Sequence, residues 1–143
     1  MEVDWSTIEA ITTTHAIDLW TLFPLGQAVN RVLTRSGPPE GGWADRLTRF
    51  FGTTEWKDAF YRPSPQMSLF SEAPALAKEA DFEHIGDFFV KRLQTVFVQV
   101  VEQPLYLRNS KNVPIYLLCF AAGNERGAPT AVKIANQIMG KLR

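Results

Sequence analysis

A chain of 143 residues with 45% hydrophobic and 12% aromatic side chains can bury one core of ordinary size and is not disordered by composition. Fifteen basic residues balance fifteen acidic ones, so no overall field steers the molecule toward nucleic acid or an anionic membrane, although a local basic contact is still open to it. The single cysteine excludes an internal disulfide framework and fits a reducing, cytoplasmic setting; no run of residues approaches the length of a membrane span.

In chain order, Asp4 is placed to cap a first helix whose inner face is Trp5, Ile8, Ile11 and Thr12. The run from Ala16 to Phe23 is short, apolar on both faces and stopped by Pro24, which predicts a strand buried in a parallel or mixed sheet. Gly26 to Thr34 then reads as a helix, SGPPEGG as a loop, and Trp43 to Phe51 and Thr54 to Tyr61 as two short helices, the second capped by Thr53 or Thr54. Residues 62–80, with three prolines and few apolar anchors, are expected to form a mobile loop. Asp81 caps a helix that turns Phe82, Ile85, Phe88 or Phe89, Leu93, Val96 and Phe97 inward. Val100 to Leu107 follows as a strand in which Pro104 is tolerable only at an edge or bulge, RNSKN makes a turn, and Val113 to Ala122 is the central partner strand. The last helix starts near Pro129, where a missing amide does no harm. Its inward residues are expected to be Ala131, Ile134, Ala135, Ile138, Met139 and Leu142.

Few residues suggest chemistry. His15 and His84 are the only histidines and neither shares a ligand spacing with Cys119, so no metal site is expected. Cys119 within an apolar strand reads as a small core residue, and Asp18, at the start of its strand, as a carboxylate bonding a helix end or loop amide. More promising is the far end of that strand. There Pro24 and Gly26 lead into a helix, and open α/β sheets hold ligands beyond the carboxyl ends of their strands. Asn30 and Arg31 stand one turn later, and Asn109 lies in the RNSKN turn. The bland alternative is that Pro24 and Gly26 shape a turn and that Asn30 or Arg31 ties down the hairpin.

Three stretches, AIDLWTLFPLGQAVNRVL, RFFGTTEW and PLYLRNSKNVPIYLLCFAAGN, resemble the C-terminal end of the three-Cys-motif partner protein family, whose members look like Rossmann-type methyltransferases. The resemblance covers nearly the whole chain. It implies an α/β fold forming the C-terminal part of such a domain, with a small mixed sheet of about three strands flanked by helices. Ile17 to Phe23 would be the fifth strand, beside Val113 to Ala122, with Val100 to Leu107 at the outer edge. It also implies a substrate-facing role for the Pro24, Gly26, Asn30 and Arg31 pattern, a Cys-rich partner protein and a link to nucleic acid. The glycine-rich loop by which a full-length relative would hold S-adenosylmethionine has no equivalent here, so the chain is expected to bind no cofactor by itself and to be inactive alone.

A different class of function is suggested by Ser64 to Phe70. Gln66, Leu69 and Phe70 resemble the Gln-x-x-Leu-Phe peptide that docks bacterial DNA-processing proteins onto a sliding clamp; the bland alternative pins Met67, Leu69 and Phe70 onto the protein's own core. The chain would then be an interaction or oligomerisation module. A half sheet with an unpaired strand further predicts a homodimer or larger assembly, by aligned edges or by exchange of the N-terminal helix and strand.

Overall fold

The computed structural model describes residues 3–34, 37–63, 76–78 and 81–143. It is a mixed α/β structure with a small open sheet. Its elements are α1 (Trp5–Thr12), β1 (Leu19–Phe23), a π-helical turn (Leu25–Asn30), α2 (Gly42–Phe51), α3 (Trp56–Phe60), β2 (Tyr61–Pro63), β3 (Leu76–Lys78), α4 (Phe82–Gln94), β4 (Gln99–Val100), β5 (Leu105–Arg108), β6 (Pro114–Ala122) and α5 (Ala128–Leu142).

The long strand β6 organises the sheet. β1 pairs along one side of it, from Leu19 opposite Ala121 to Phe23 opposite Leu117; β4 and β5 share the other side. Among the described residues every pairing is antiparallel, which corrects the expected mixed sheet: β6 runs against β1 on one side and against β4 and β5 on the other. The outer strand expected over residues 100–107 is broken into β4 and β5 because the segment containing Pro104, which has no amide to donate, leaves the ladder.

Alternation along β1 and β6 sorts side chains onto two faces. Leu19, Thr21 and Phe23 share one face with Ala121, Cys119 and Leu117, and this face carries the main core with α1, α2, α3 and α4. Phe23 is fully buried there and stacks on Phe89 of α4 at 4.4 Å between centroids, with Phe50 at 5.3 Å. α4 buries Ile85, Phe89, Val90 and Leu93, close to the face its spacing predicts, and Asp81 caps it by accepting the His84 amide at 2.9 Å. Asp4, by contrast, makes no side-chain cap for α1. Within α1 the Trp5 indole donates to the Glu9 carboxylate at 3.1 Å.

The opposite face is covered only in part. α5 seals Val101, Leu105, Phe120 and Ala122 beneath Ala128, Ala135 and Met139. Ile134, Ile138 and Leu142, expected inside, are instead 51%, 46% and 62% exposed. A helix resting on so narrow a sheet can bury one stripe, and Ala128, Ala135 and Met139 form it. Likewise β1, expected to be buried on both faces, leaves Trp20 and Leu22 exposed because α5 lies over β6 and its β4 side.

Of the segment read as a mobile loop, residues 62–63 and 76–78 lie in a two-stranded ribbon, with Arg62 opposite Ala77 and Pro63 opposite Leu76. Residues 64–75, including the peptide-docking candidates Gln66, Leu69 and Phe70, lie outside the described residues.

Candidate functional site

The sequence-predicted site residues gather at one end of the sheet, around the first residues of β6. β1 ends there at Phe23, β5 ends there at Arg108, and the polar turn leads back into Pro114. After Pro24 the chain does not enter the expected α-helix. It makes a π-helical turn instead, in which the Val29 amide donates to Pro24 O at 3.1 Å and the Arg31 amide to Gly26 O at 3.2 Å, each spanning five residues. Such turns are rare and recur at functional sites. The packing shows why glycine stands within it: a Cβ on Gly26 would lie 2.7 Å from Pro114 O and 3.2 Å from Ile115 Cα, so the turn is pressed against the β6 backbone.

Asn30 and Asn109 both have structural work. Asn30 Oδ1 accepts from Lys78 Nζ at 2.5 Å, which ties the π-helical turn to β3 rather than to the RNSKN hairpin. Asn109 Oδ1 accepts the amides of Lys111 and Val113 at 2.9 and 3.0 Å and its own amide donates to Val113 O, so this carboxamide closes the hairpin, helped by Asn112 in the left-handed region at φ 60°. Arg31 is exposed at the end of the π-helical turn. Pro24 and Gly26 thus shape a turn, Asn30 and Asn109 hold it and its neighbour in place, and Arg31 is exposed beside them. The close approach that Gly26 permits is taken by the Pro114 and Ile115 backbone.

Two other residues fall into structural roles. The Asp18 carboxylate accepts the Gly123 amide at 3.1 Å, clamping the start of β1 to the end of β6 as a loop-amide bond. Cys119 is fully buried, and burial pushes its thiol up to about 12, so it stays protonated and is a core residue rather than a nucleophile. Tyr106 is also raised to about 12, by burial first and then by the negative charges of Asp87 and Glu83. Among the described residues no three His, Cys, Asp or Glu side chains come together to hold a metal.

These two groups set a pH dependence. An acid whose folded pKa is raised stabilises fully below its unfolded pKa and loses that contribution as the pH rises toward the folded value. For Cys119 the window runs from its ordinary 9.0 to about 12, and for Tyr106 from 10.0 to about 12. Urea denaturation midpoints should therefore be level through neutral pH and fall above about pH 9, and Cys119→Ala should make that fall shallower. A midpoint unchanged between about pH 8 and about pH 10.5 would show that the thiol is not buried as described.

Sequence reasoning missed a cavity of about 470 Å³ at the opposite end of the sheet, beyond β4. Gln94 at the end of α4, Gln99 of β4, Gln103 after it and Asn136 of α5 ring it with carboxamides, Glu102 adds a carboxylate, and Phe97 and Val132 supply apolar walls. The concavity continues toward Pro129 and Lys133. Its lining comes from two stretches far apart in sequence, residues 94–103 and residues 132–136, so no motif announces it. Paired donors and acceptors on an apolar floor suit neutral polar groups better than phosphate.

Compared with protein-family models, with curated proteins and with solved structures, the chain finds no match in any of the three.

Proposed function

We propose that the chain is the C-terminal portion of a protein of the three-Cys-motif partner type, a methyltransferase-like protein acting in nucleic-acid-related biology and inactive alone. The observation that supports this reading most is the strand order. β6 lies between β1 and the broken outer strand and runs against both. Methyltransferase-type sheets of the Rossmann kind end in this way, with a fifth strand, a closing antiparallel strand and an outer strand that forms a hairpin with it. In that frame the turn after β1 occupies the carboxyl edge of the sheet, where ligands of open α/β folds sit. Arg31, exposed at that edge, is the residue suited to a phosphate of the substrate, while Asn30 acts on Arg31 only by anchoring the turn through Lys78. A three-Cys-motif protein is the partner this reading implies.

The reading has a direct genetic test. In the transcript that contains the Met1 codon, an open upstream frame encoding a glycine-rich loop and an Asp-Pro-Tyr-Gly turn is the expected result. A stop codon immediately upstream, or an unrelated coding sequence joined there, would remove the reading and leave the chain as an interaction module.

A further inference from the structure

We infer that a second copy of this chain docks on the free edge of β1, joining the two sheets about a two-fold axis at Thr21. The inference concerns these 143 residues by themselves and rests on the edge itself; in the longer fold proposed above, a preceding strand would occupy that edge in place of the second copy. Among the described residues no strand lies beyond β1, so one side of Leu19–Phe23 presents backbone amides and carbonyls with no ladder partner. The strand LWTLF carries none of the devices that normally blunt such an edge: no lysine, proline, glycine or charge lies within it.

The occupant follows from the strand's own pattern. Antiparallel pairing of LWTLF with itself, centred on Thr21, sets Leu19 against the partner's Phe23, Trp20 against the partner's Leu22 and Thr21 against the partner's Thr21. Each is a favourable cross-strand pair, and each occurs in a symmetric, self-complementary arrangement. The Trp20 and Leu22 pairs lie on the face where these residues are 43% and 54% exposed, and they would cover one another there. With no charge in the strand and no net charge on the chain, two copies meet without like-charge repulsion.

The neighbouring surface extends the contact. Val132 and Asn136 of α5 line the cavity beside β4, and Ile134 and Ile138 stand on the opposite flank of the helix, the side toward β1. Ile17, just before β1, is 45% exposed, and Ile134 and Ile138 are 51% and 46% exposed. With roughly 100 Å² exposed on each of these three residues and on Trp20 and Leu22, covering all five in both copies removes at most about 1,000 Å² from water, the area at which a specific interface begins.

Light scattering of the purified chain at tens of micromolar should give twice the 16.1 kDa of one chain. Leu22→Lys, a change at an exposed position, should raise the dimer dissociation constant by at least about tenfold while leaving the circular dichroism spectrum unchanged. The symmetry is read separately. In a Cys119→Ala background, which removes the thiol facing position 21 across the β1–β6 pair, Thr21→Cys should form an interchain disulfide on mild oxidation, because residues facing across a strand pair fall within disulfide reach. A monomeric wild-type chain at that concentration, or a dimer indifferent to Leu22→Lys, overturns the proposal; a dimer whose Thr21→Cys form yields no interchain disulfide overturns the two-fold at Thr21.

Discussion

Phe89→Ala should lower the unfolding free energy by about 3 to 5 kcal/mol, the range for removing a large aromatic from a packed core. Phe89 is 1% exposed and sits where the sheet meets three helices. Its ring stacks on Phe23 at 4.4 Å, lies parallel to Phe50 at 5.9 Å and meets the edge of Trp5 at 6.5 Å. Alanine removes the surface that all three share, and the surrounding rings belong to β1, α2 and α1, which cannot close on the hole together without shifting against one another. Urea unfolding measures the loss. Ile134→Ala is the matched control: at 51% exposure it should cost less than about 1 kcal/mol in the monomer. Equal losses at the two positions would mean that the inward face of α5 has been misplaced.

Gly52→Ala should cost about 2 to 4 kcal/mol, more than any helix-end substitution acting through conformation alone. Gly52 ends α2 in the left-handed region at φ 70°, its amide donating to Thr48 O at 2.8 Å. A Cβ there would fall 2.1 Å from Cδ1 of the Trp5 indole. Trp5 cannot yield easily, since it is buried, its indole donates to Glu9, and the Arg92 guanidinium covers its ring at 4.6 Å. That same guanidinium donates to Phe51 O at 2.7 Å and Gly52 O at 3.3 Å, so one side chain of α4 closes the carboxyl end of α2 and pins α1. Moving Trp5 would disturb all three helices. A denaturation midpoint within error of wild type would show that Trp5 is looser than the packing implies.

What could be read in the sequence was what depends on local spacing. The inner face of α4 and its Asp81 cap follow from residues three and four apart and from one carboxylate at a helix start. The burial of Cys119 follows from the apolar run around it. What could not be read depends on how wide the sheet is. Ala131, Ile134, Ala135, Ile138, Met139 and Leu142 wrap apolar surface around more than one flank of α5, and spacing alone does not say which flank the sheet reaches. Trp20 and Leu22 are apolar like the rest of β1, and their exposure is set by where α5 lies.

The candidate site divides in the same way. That Pro24, Gly26, Asn30, Arg31 and Asn109 share one end of the sheet follows from the strand order, which the chain's pattern of strands and turns suggests. Their roles required partners distant in sequence. Lys78 reaches Asn30 from 48 residues away, and Gly26 is pressed against Pro114. The π-helical turn keeps Val29 and Leu33 buried, as an α-helix would, so the apolar spacing does not mark it. The carboxamide-lined cavity, built from Gln94, Gln99, Gln103 and Asn136, has no sequence signature either.

Calorimetric titration of the purified chain with S-adenosylmethionine tests most directly the proposal that this chain supplies the closing strands of a methyltransferase-like fold and not its cofactor site. The account predicts no saturable heat up to millimolar ligand, because the chain has no glycine-rich loop and Gly26, the one glycine at the carboxyl end of β1, is filled by the β6 backbone. One-to-one binding with a micromolar dissociation constant would contradict it, since the cofactor would then have a site within these 143 residues.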